Sequence, residues 1–277
     1  MAYAWNVCVD VVRYRFARLG FGASHLARWS TAYAWKKAPD ASHRVVLDEV
    51  HNFQPRRILD LSGGGILAAE LRKEGHFVVG VDTARPLQAE VDADRTGVAD
   101  LDAGLPPEIV TEAPFDLVIT ADVLEHLRAP ELLLRELHEV CTADTVLVAT
   151  IPNISHWYPR LRIGFGRFDY DHRGILDTTH LRFFTWRSFR GMAHRAGWRV
   201  KRRRLSGLPF EILDRGEGVP RTRPIRKLLG LLDRIGRAVW PSLFAYQYVA
   251  TLERDPARVL REESEPRASR GLVGVSN

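Results

Sequence analysis

Acidic residues and a run of glycines follow one another at regular intervals in the first part of the chain. The residues concerned are Asp60, Ser62, Gly63, Gly64, Gly65, Asp82 and Asp100. A glycine cluster lets the backbone approach a ligand that a Cβ atom would repel. An acidic residue roughly 20 residues after such a loop can accept hydrogen bonds from both ribose hydroxyls, which suits Asp82. Asp100 is placed to accept one from an adenine amino group, so these residues together predict a cofactor site.

Three histidines are candidates for a base that removes a proton from a hydroxyl group. His156 follows Pro152 and Asn153 at the end of a predicted strand and is the first candidate. His180 is the second candidate and His126 the third. A neutral imidazole suits proton abstraction at physiological pH. For any one histidine a structural hydrogen bond is the more frequent role, and the alternative for His180 is to hold a lid segment in place.

The elements that must position these residues alternate between apolar runs and amphipathic stretches. Seven runs predict strands, at residues 57–61, 77–82, 97–100, 115–120, 145–150, 198–205 and 243–252. The stretches between and around them predict helices, at residues 42–50, 66–74, 86–92, 131–140, 187–196 and 225–240. This alternation predicts an α/β fold with a doubly wound sheet, whose ligands lie at the carboxyl ends of the strands. Residues 155–184 are expected to be irregular.

Composition is typical of a globular protein in a reducing compartment. The 277 residues are 45% hydrophobic, which is enough for one domain with elaborations. Cys8 and Cys141 stand in different contexts, so neither a disulfide framework nor a zinc site is expected. No stretch has the pattern of a signal peptide or the length of a membrane span. We predict a cytoplasmic protein, with peripheral contact at the inner membrane face as the alternative.

The first half of the chain resembles class I S-adenosylmethionine-dependent methyltransferases. The stretches RRILDLSGGGILAAEL, VVGVDTA, GVADLDAGLP and FDLVITADVLEHL follow the nucleotide-binding half of that family from end to end. The resemblance implies S-adenosyl-L-methionine as cofactor and a seven-stranded, Rossmann-like sheet whose last strand is antiparallel. In the family the first loop lies under the methionine part of the cofactor, and the segment after the fourth strand closes over it. Residue by residue, this adds Thr83, Leu101, Ala121 and Asp122 to the cofactor-binding set.

The glycine loop departs from the D-x-G-x-G-x-G pattern of the family. Ser62 stands at the place of the first glycine and Ile66 at that of the third, whereas Gly64 keeps the family identity. A serine that requires a positive φ angle would cost roughly 1 kcal/mol. The alternatives are an NAD(P)-binding protein, because the loop also fits G-x-G-x-x-A, and a weakened, methyltransferase-like binding or scaffolding protein. The LEHL segment and the second half of the chain favour methyl transfer.

The second half resembles a bacterial subgroup of these enzymes that often modifies sugars, cell-envelope glycans or small metabolites. The stretches PNISHWY, GRFDY, THLRFF and WPSLFAYQYVATLE carry this resemblance. It implies a small-molecule, sugar or lipid-linked acceptor, which we expect to be methylated at a hydroxyl. Asp169, Asp171 and Asp177 are candidates for binding sugar hydroxyls. Asp169, Asp171 and His172 allow a metal-dependent reaction as an alternative, but their spacing on a loop is mixed, so no metal site is predicted.

Domain organisation follows from the same patterns. Residues 1–54 are predicted to form an N-terminal helical cap, and residues 55–255 a methyltransferase domain whose acceptor and lid segment is 151–185. The charged residues 256–277 are predicted to be a disordered tail.

Two basic segments bear on the partners of the chain. Residues 221–240 predict a basic amphipathic helix, and we expect its apolar face to pack on the sheet, with an anionic membrane surface as the alternative. Residues 201–204 (KRRR) alternate between the two faces of a strand, so the net charge of +6 does not predict a nucleic-acid partner.

Overall fold

The computed structural model describes residues 42–62, 65–82, 93–171, 174–207 and 223–257, without the side chains of residues 66 and 223–229. In chain order the elements are α1 (Ser42–His51), β1 (Arg57–Asp60), α2 (Ile66–Lys73), β2 (Phe77–Asp82), β3 (Arg95–Val98), α3 (Pro107–Val110), β4 (Phe115–Ala121), α4 (Pro130–Glu136), β5 (Cys141–Pro152), α5 (Trp157–Gly164), α6 (Trp186–Arg195), β6 (Trp198–Ser206), α7 (Arg223–Val239), α8 (Pro241–Phe244) and β7 (Gln247–Arg254). Two 3₁₀ turns, Leu124–His126 and Leu137–Val140, flank α4. The predictions for residues 1–41, for a helix at 86–92 and for most of the tail lie outside the described residues.

The seven strands form one sheet in the order β3-β2-β1-β4-β5-β7-β6. The pairs among β1 to β5 are parallel, and β7 is antiparallel to both β5 and β6. The predicted Rossmann-like sheet with an antiparallel last strand is therefore confirmed. From the middle of the sheet, β1, β2 and β3 follow one another toward one side, and β4 and β5 toward the other. The direction of the strand order therefore reverses between β1 and β4. Ligands of open α/β sheets bind at such a switch point.

The centre of the sheet is apolar on both faces, as parallel strands covered by helices require. Ile58 and Leu59 of β1 are fully buried, and so are Leu117 and Ile119 of β4. In the register of these two strands, Leu59 lies opposite Val118. This pair of strands ends in Asp60 and Ala121, two of the predicted site residues.

Several boundaries differ from the sequence prediction, three of them at the start of a strand. β3 begins two residues earlier than predicted, at Arg95, and β5 is longer, beginning at Cys141. β7 begins at Gln247 and not at Leu243, because the preceding residues form α8. Pro241 opens that helix, and proline is favoured in the first turn, where its missing N–H would be unpaired in any case.

Residues 155–184 contain a helix, α5, that the sequence did not predict. Its N-cap is His156, whose imidazole Nδ1 accepts a hydrogen bond of 3.3 Å from the backbone N–H of Tyr158. Histidine is not among the usual N-cap residues, so the start of the helix carried no recognisable signal. The prediction of an irregular segment is wrong over this stretch.

The basic helix α7 confirms the predicted helix, but its packing differs from the expectation. Leu231, Leu232 and Ile235 are 51–53% exposed and do not form a face packed on the sheet. Among the side chains of α7 that the structure describes, Asp233 and Arg237 are the buried ones, and an ion pair of 2.9 Å joins them. None of the described helices has the length and apolarity that crossing a bilayer requires.

The basic residues of β6 serve the packing of α1 on the sheet. Glu49 of α1 is fully buried, and its carboxylate accepts a hydrogen bond of 2.8 Å from the Thr251 hydroxyl. Arg202 and Arg204 lie within 3.5 Å of the same carboxylate. Two of the four basic residues at 201–204 therefore neutralise a buried acid.

Candidate active site

The carboxyl end of β1 presents a buried carboxylate and the start of the glycine loop. Asp60 is fully buried, and its Oδ1 accepts hydrogen bonds from the backbone N–H of Ser62, at 2.9 Å, and from the Ser62 hydroxyl. Burial raises the pKa of Asp60, and the hydrogen bonds from Ser62 oppose that shift. Asp60 Oδ2 has no hydrogen-bond partner among the described residues.

The serine in the loop has a structural explanation. Among the described non-glycine residues only Gln54 and Asp122 have a positive φ angle, so Ser62 does not carry the strain expected at a glycine position. Its two hydrogen bonds hold Asp60 in place. Gly65 is the N-cap residue of α2, whereas Gly63 and Gly64 lie outside the described residues.

β2 ends in a carboxylate, as predicted, whereas the carboxylate predicted to end the third strand lies two residues beyond β3. Asp82 is the last residue of β2 and lies opposite Val98, the last residue of β3. Asp100 follows two residues later, is exposed, and accepts a hydrogen bond of 3.0 Å from the backbone N–H of Asp102. Leu101 packs into the core, and Thr83 lies outside the described residues. Asp60, Asp82 and Asp100 therefore follow the carboxyl ends of three adjacent strands.

The carboxyl end of β4 holds Asp122 in an uncommon backbone conformation. Its φ angle is 55°, which costs a non-glycine residue about 1 kcal/mol or more. The backbone N–H of Asp122 donates to the Thr150 hydroxyl at 2.8 Å, and its Oδ1 accepts from that hydroxyl and from Gln247 Nε2, each at 2.7 Å. The sequence predicted Ala121 and Asp122 for this site but not Thr150 and Gln247, which join β4 to β5 and β7 here.

The segment after β4 brings together two of the predicted histidines and a glutamate that was assigned no role. The rings of His126 and His180 lie 4.9 Å apart, centre to centre. Glu125 is 1% exposed, and neither of its carboxylate oxygens has a hydrogen-bond partner among the described residues. Burial raises the pKa of Glu125 well above its ordinary value, and the charge of Asp122 adds to the shift.

Glu125 also fixes the position of the lid segment through its backbone. Its carbonyl oxygen accepts hydrogen bonds from the backbone N–H groups of Leu181 and Arg182, at 2.8 and 2.9 Å. The only sequence signal for its importance is the Glu-His pair in LEHL. That signal was weak, because the residues that bond to the carbonyl oxygen of Glu125 lie more than 50 positions away.

His156, the first candidate for the base, lies in a different environment. Its ring is fully buried, and Nδ1 accepts the hydrogen bond that caps α5, which places the proton of the neutral ring on Nε2. Burial lowers the pKa of His156 to about 4. A nitrogen that carries a proton cannot accept another, so this environment favours a structural role over the role of base.

The acidic residues of the lid segment are held by neighbouring side chains. Asp171 accepts a hydrogen bond of 2.9 Å from the Tyr158 hydroxyl and pairs with Arg162 Nη1 at 2.7 Å. Arg162 also donates to the backbone carbonyl of Asp169 at 2.8 Å. Asp177 accepts from the backbone N–H and hydroxyl of Thr179, at 2.8 and 2.7 Å. These contacts order the segment, whereas His172 lies outside the described residues.

Comparison with known proteins agrees with this geometry. A family model described as a methyltransferase domain matches residues 33–202, more than half of the chain. Over 88 residues the chain is 36% identical to the ubiquinone biosynthesis O-methyltransferase of Maricaulis maris. That match covers 30% of this chain and 35% of the relative, so the chain aligns with much less than two thirds of its length.

Solved structures share the fold at low sequence identity. A SAM-dependent methyltransferase from Archaeoglobus fulgidus superimposes with a TM-score of 0.50 at 17% identity, covering 77% of this chain and 95% of that one. The magnesium protoporphyrin IX methyltransferase of Synechocystis PCC 6803, solved with bound SAH, gives 0.50 at 15% identity, covering 88% and 99%. Identities in this range indicate a common fold alone.

Proposed function

The chain belongs to the methyltransferase domain family, and from that premise we propose that it transfers a methyl group from S-adenosyl-L-methionine to a hydroxyl oxygen of a small-molecule acceptor. The observation that carries the proposal is the position of Asp60, Asp82 and Asp100 at the carboxyl ends of three adjacent strands. Hydrogen-bond acceptors at this edge of the sheet suit a ligand rich in donors. A methyltransferase model over residues 33–202 disfavours the NAD(P)-binding alternative.

The carboxylates fit the polar groups of S-adenosyl-L-methionine. We assign the ribose hydroxyls to Asp82 and the adenine amino group to Asp100. The buried Asp60 Oδ2, which has no hydrogen-bond partner among the described residues, fits a donor that approaches the loop at 62–65. When bound, this cofactor supplies a methyl group carried on a sulfonium. The thioether that leaves when the methyl group is transferred requires no proton. The chain then has to align the acceptor and allow its proton to leave.

The acceptor part of the proposal is supported by the polar side chains that follow β4. Glu125, His126 and His180 form one cluster, and β4 is the neighbour of β1, which carries the loop at 62–65. A hydroxyl acceptor is also supported by the local identity to ubiquinone biosynthesis O-methyltransferases. A cytoplasmic setting accords with this reaction, and a sugar or a lipid-linked molecule with an accessible hydroxyl would satisfy the same chemistry.

Calorimetric titration of S-adenosylhomocysteine tests the cofactor assignment. Loss of hydrogen bonds to a charged group costs about 1.5–3 kcal/mol, so Asp82→Ala is expected to weaken binding roughly 10- to 150-fold. Asp144→Ala is the matched control, because Asp144 is exposed near the amino end of β5, at the opposite edge of the sheet. Equal affinity in the wild type and Asp82→Ala, or no binding to the wild type, would contradict the proposal.

Turnover tests the choice of acceptor. Release of S-adenosylhomocysteine is measured with a panel of phenols, sugars and aliphatic alcohols, each beside its O-methyl ether. Release only with the free hydroxyl is the expected result. Cofactor binding without release on any member of the panel would instead favour a methyltransferase-like binding protein.

A further inference from the structure

Three side chains with metal-binding donor atoms converge after β4. One donor atom each from Glu125, His126 and His180 lies within 4.8 Å of the other two. Separations of this size allow all three atoms to reach a single ion after small side-chain movements, since metal–ligand distances are about 2.0–2.2 Å. Among the described residues this is the only group of three or more such side chains with that spacing.

The carboxylate of Glu125 gives independent support for a ligand. The side chain is 1% exposed, and neither oxygen has a hydrogen-bond partner among the described residues. A buried carboxylate is costly unless a proton or a cation neutralises it and its lone pairs are used. A metal ion bound to both oxygens, or to one, would meet that requirement.

The hydrogen bonds of the two histidines leave a suitable nitrogen for coordination. His126 Nδ1 lies 3.1 Å from the backbone carbonyl oxygen of Thr179, and His180 Nδ1 lies 3.1 Å from that of Ile175. A carbonyl oxygen only accepts, so Nδ1 carries the proton in each ring and Nε2 keeps its lone pair. Histidines that bind metals commonly donate their other N–H in this way, which fixes both the tautomer and the orientation of the ring.

The backbone holds the two parts of the cluster together without a ligand. Glu125 and His126 belong to the 3₁₀ turn after β4, whereas His180 belongs to the lid segment. The carbonyl oxygen of Glu125 accepts from the backbone N–H groups of Leu181 and Arg182, directly after His180. Arg182 Nε donates in turn to the backbone carbonyl of Arg128 at 3.0 Å. The three donors are therefore fixed relative to one another, as a binding site requires.

From this arrangement we propose that Glu125, His126 and His180 bind a divalent transition-metal ion, with a coordination position left for the hydroxyl oxygen of the acceptor. Two imidazoles and one carboxylate suit Zn²⁺, Mn²⁺ or Fe²⁺ better than Ca²⁺ or Mg²⁺, which prefer oxygen ligands alone. Three protein ligands leave at least one position open, the arrangement of catalytic metal sites. The metal site itself stands on the geometry, and the role toward the acceptor rests on the proposed function.

This site differs from the one considered from the sequence, where no metal was predicted. The sequence drew attention to Asp169, Asp171 and His172, which are close together along the chain. In the structure Asp171 is paired with Arg162 and hydrogen-bonded to Tyr158. His180 lies 54 positions from His126 in the sequence, so their proximity becomes visible only in the folded chain.

Metal titration tests the site without any assay of activity. The full-length chain is dialysed against a chelator and titrated with Zn²⁺ by calorimetry, and with Co²⁺ while its visible absorption is recorded. We expect one ion per chain, and Co²⁺ bands that report nitrogen and oxygen ligands. Residues that only hydrogen-bond to metal ligands contribute about 10–100-fold to metal affinity. Glu125→Gln and His180→Asn each change a ligand itself, so each is expected to weaken metal binding by about 100-fold or more.

The matched control is His194→Asn, which removes an exposed histidine of α6 and is expected to keep wild-type metal affinity. S-adenosylhomocysteine binding and a thermal melt are measured on each variant to show that it is folded. Metal affinity that is equal in the wild type, Glu125→Gln and His180→Asn would overturn the site. No metal binding by the folded wild type would overturn it as well.

A turnover arm separates this proposal from the proposed function. If both hold, chelation stops release of S-adenosylhomocysteine from an acceptor, Zn²⁺ or Mn²⁺ restores it, and cofactor binding is unaffected throughout. Turnover that persists in the chelated protein would overturn the role of the metal while supporting methyl transfer. Metal binding that depends on Glu125 in a chain that binds no cofactor would support the metal site and contradict the proposed function.

Discussion

Burial of His156 is expected to make the stability of the chain depend on pH. The ring is fully buried, and burial lowers its pKa from the ordinary 6.5 to about 4. As the pH falls below 6.5, the unfolded chain takes up a proton at this residue, whereas the folded chain does not until the pH approaches 4. The unfolded state therefore binds more protons in this window, and the free energy of unfolding falls as the pH falls.

The size of the effect follows from the shift in pKa. Each unit corresponds to 1.36 kcal/mol, so the full contribution is about 3 kcal/mol, reached below pH 4. Between pH 7 and pH 5 the expected loss is about 2 kcal/mol, and above pH 7.5 the contribution of His156 to the pH dependence vanishes. Other groups titrate in the same range, so a variant that lacks only this histidine is needed.

His156→Asn isolates the titration from the helix cap. The asparagine side chain offers an oxygen that can accept from the backbone N–H of Tyr158, and asparagine is a preferred N-cap residue. Urea unfolding of wild type and variant at pH 7.5, 6.5, 5.5 and 5.0 gives the difference in free energy of unfolding. We expect that difference to shift in favour of the variant by about 2 kcal/mol between pH 7 and pH 5. His194→Asn, at an exposed site, is the control, and we expect its difference from the wild type in free energy of unfolding to stay the same from pH 7 to pH 5.

Two results would refute this reasoning. Parallel stability curves for wild type and His156→Asn would show that the ring titrates normally and that its burial in the structure is wrong. Loss of methyl transfer in a stably folded His156→Asn chain would show that the ring acts on the acceptor, as the sequence had suggested, and not only on the cap of α5.

Two further predictions concern Asp122 and Cys141. Thr150→Val removes the hydroxyl that bonds to both the backbone N–H and the carboxylate of Asp122. We expect the free energy of unfolding to fall by about 1–3 kcal/mol, measured with urea, and S-adenosylhomocysteine to bind more weakly, measured by calorimetry. Thr142→Val, at an exposed site, is the control, and unchanged cofactor affinity in Thr150→Val would show that Asp122 is positioned by other contacts. Partial burial raises the pKa of the Cys141 thiol to about 12, so iodoacetamide at pH 8 should label the peptide containing Cys141 much faster after denaturation, as read by mass spectrometry. Equally rapid labelling of the native chain would contradict the raised pKa.

The sheet could be predicted from the sequence because its signals are local. Runs such as Phe77–Asp82 and Phe115–Ala121 are mostly apolar, without the strict alternation of polar residues that a one-sided strand shows, which is typical of strands covered on both faces. The aspartates that end β1 and β2 were placed correctly for the same reason. The family predicted from these motifs is confirmed by the match over residues 33–202, whereas the narrower subgroup stays a prediction.

Features that depend on contacts between distant residues could not be predicted. α5 begins at a histidine cap, and no periodic apolar pattern compensated for the missing signal. Leu231, Leu232 and Ile235 of α7 were expected to lie on its buried face, yet they are exposed. Asp233 and Arg237 are buried, since an ion pair within the helix neutralises both charges. Glu125 gave no local sign of burial, and the segment that bonds to its backbone follows it by more than 50 residues.

The pairing of β1 with β4 explains why the two halves of the proposed reaction meet. Asp60 lies opposite Ile119 in the register, and the backbone N–H of Leu61 donates to the carbonyl oxygen of Ile119 at 3.0 Å. The loop at 62–65 therefore starts beside the last residues of β4, from which the chain passes through the strained Asp122 to Glu125. A change in either strand end should disturb both cofactor and acceptor, whereas a change within the lid segment should disturb the acceptor alone. Comparing cofactor affinity with turnover in Thr150→Val and in His180→Asn separates these two cases, because only the first is expected to weaken cofactor binding.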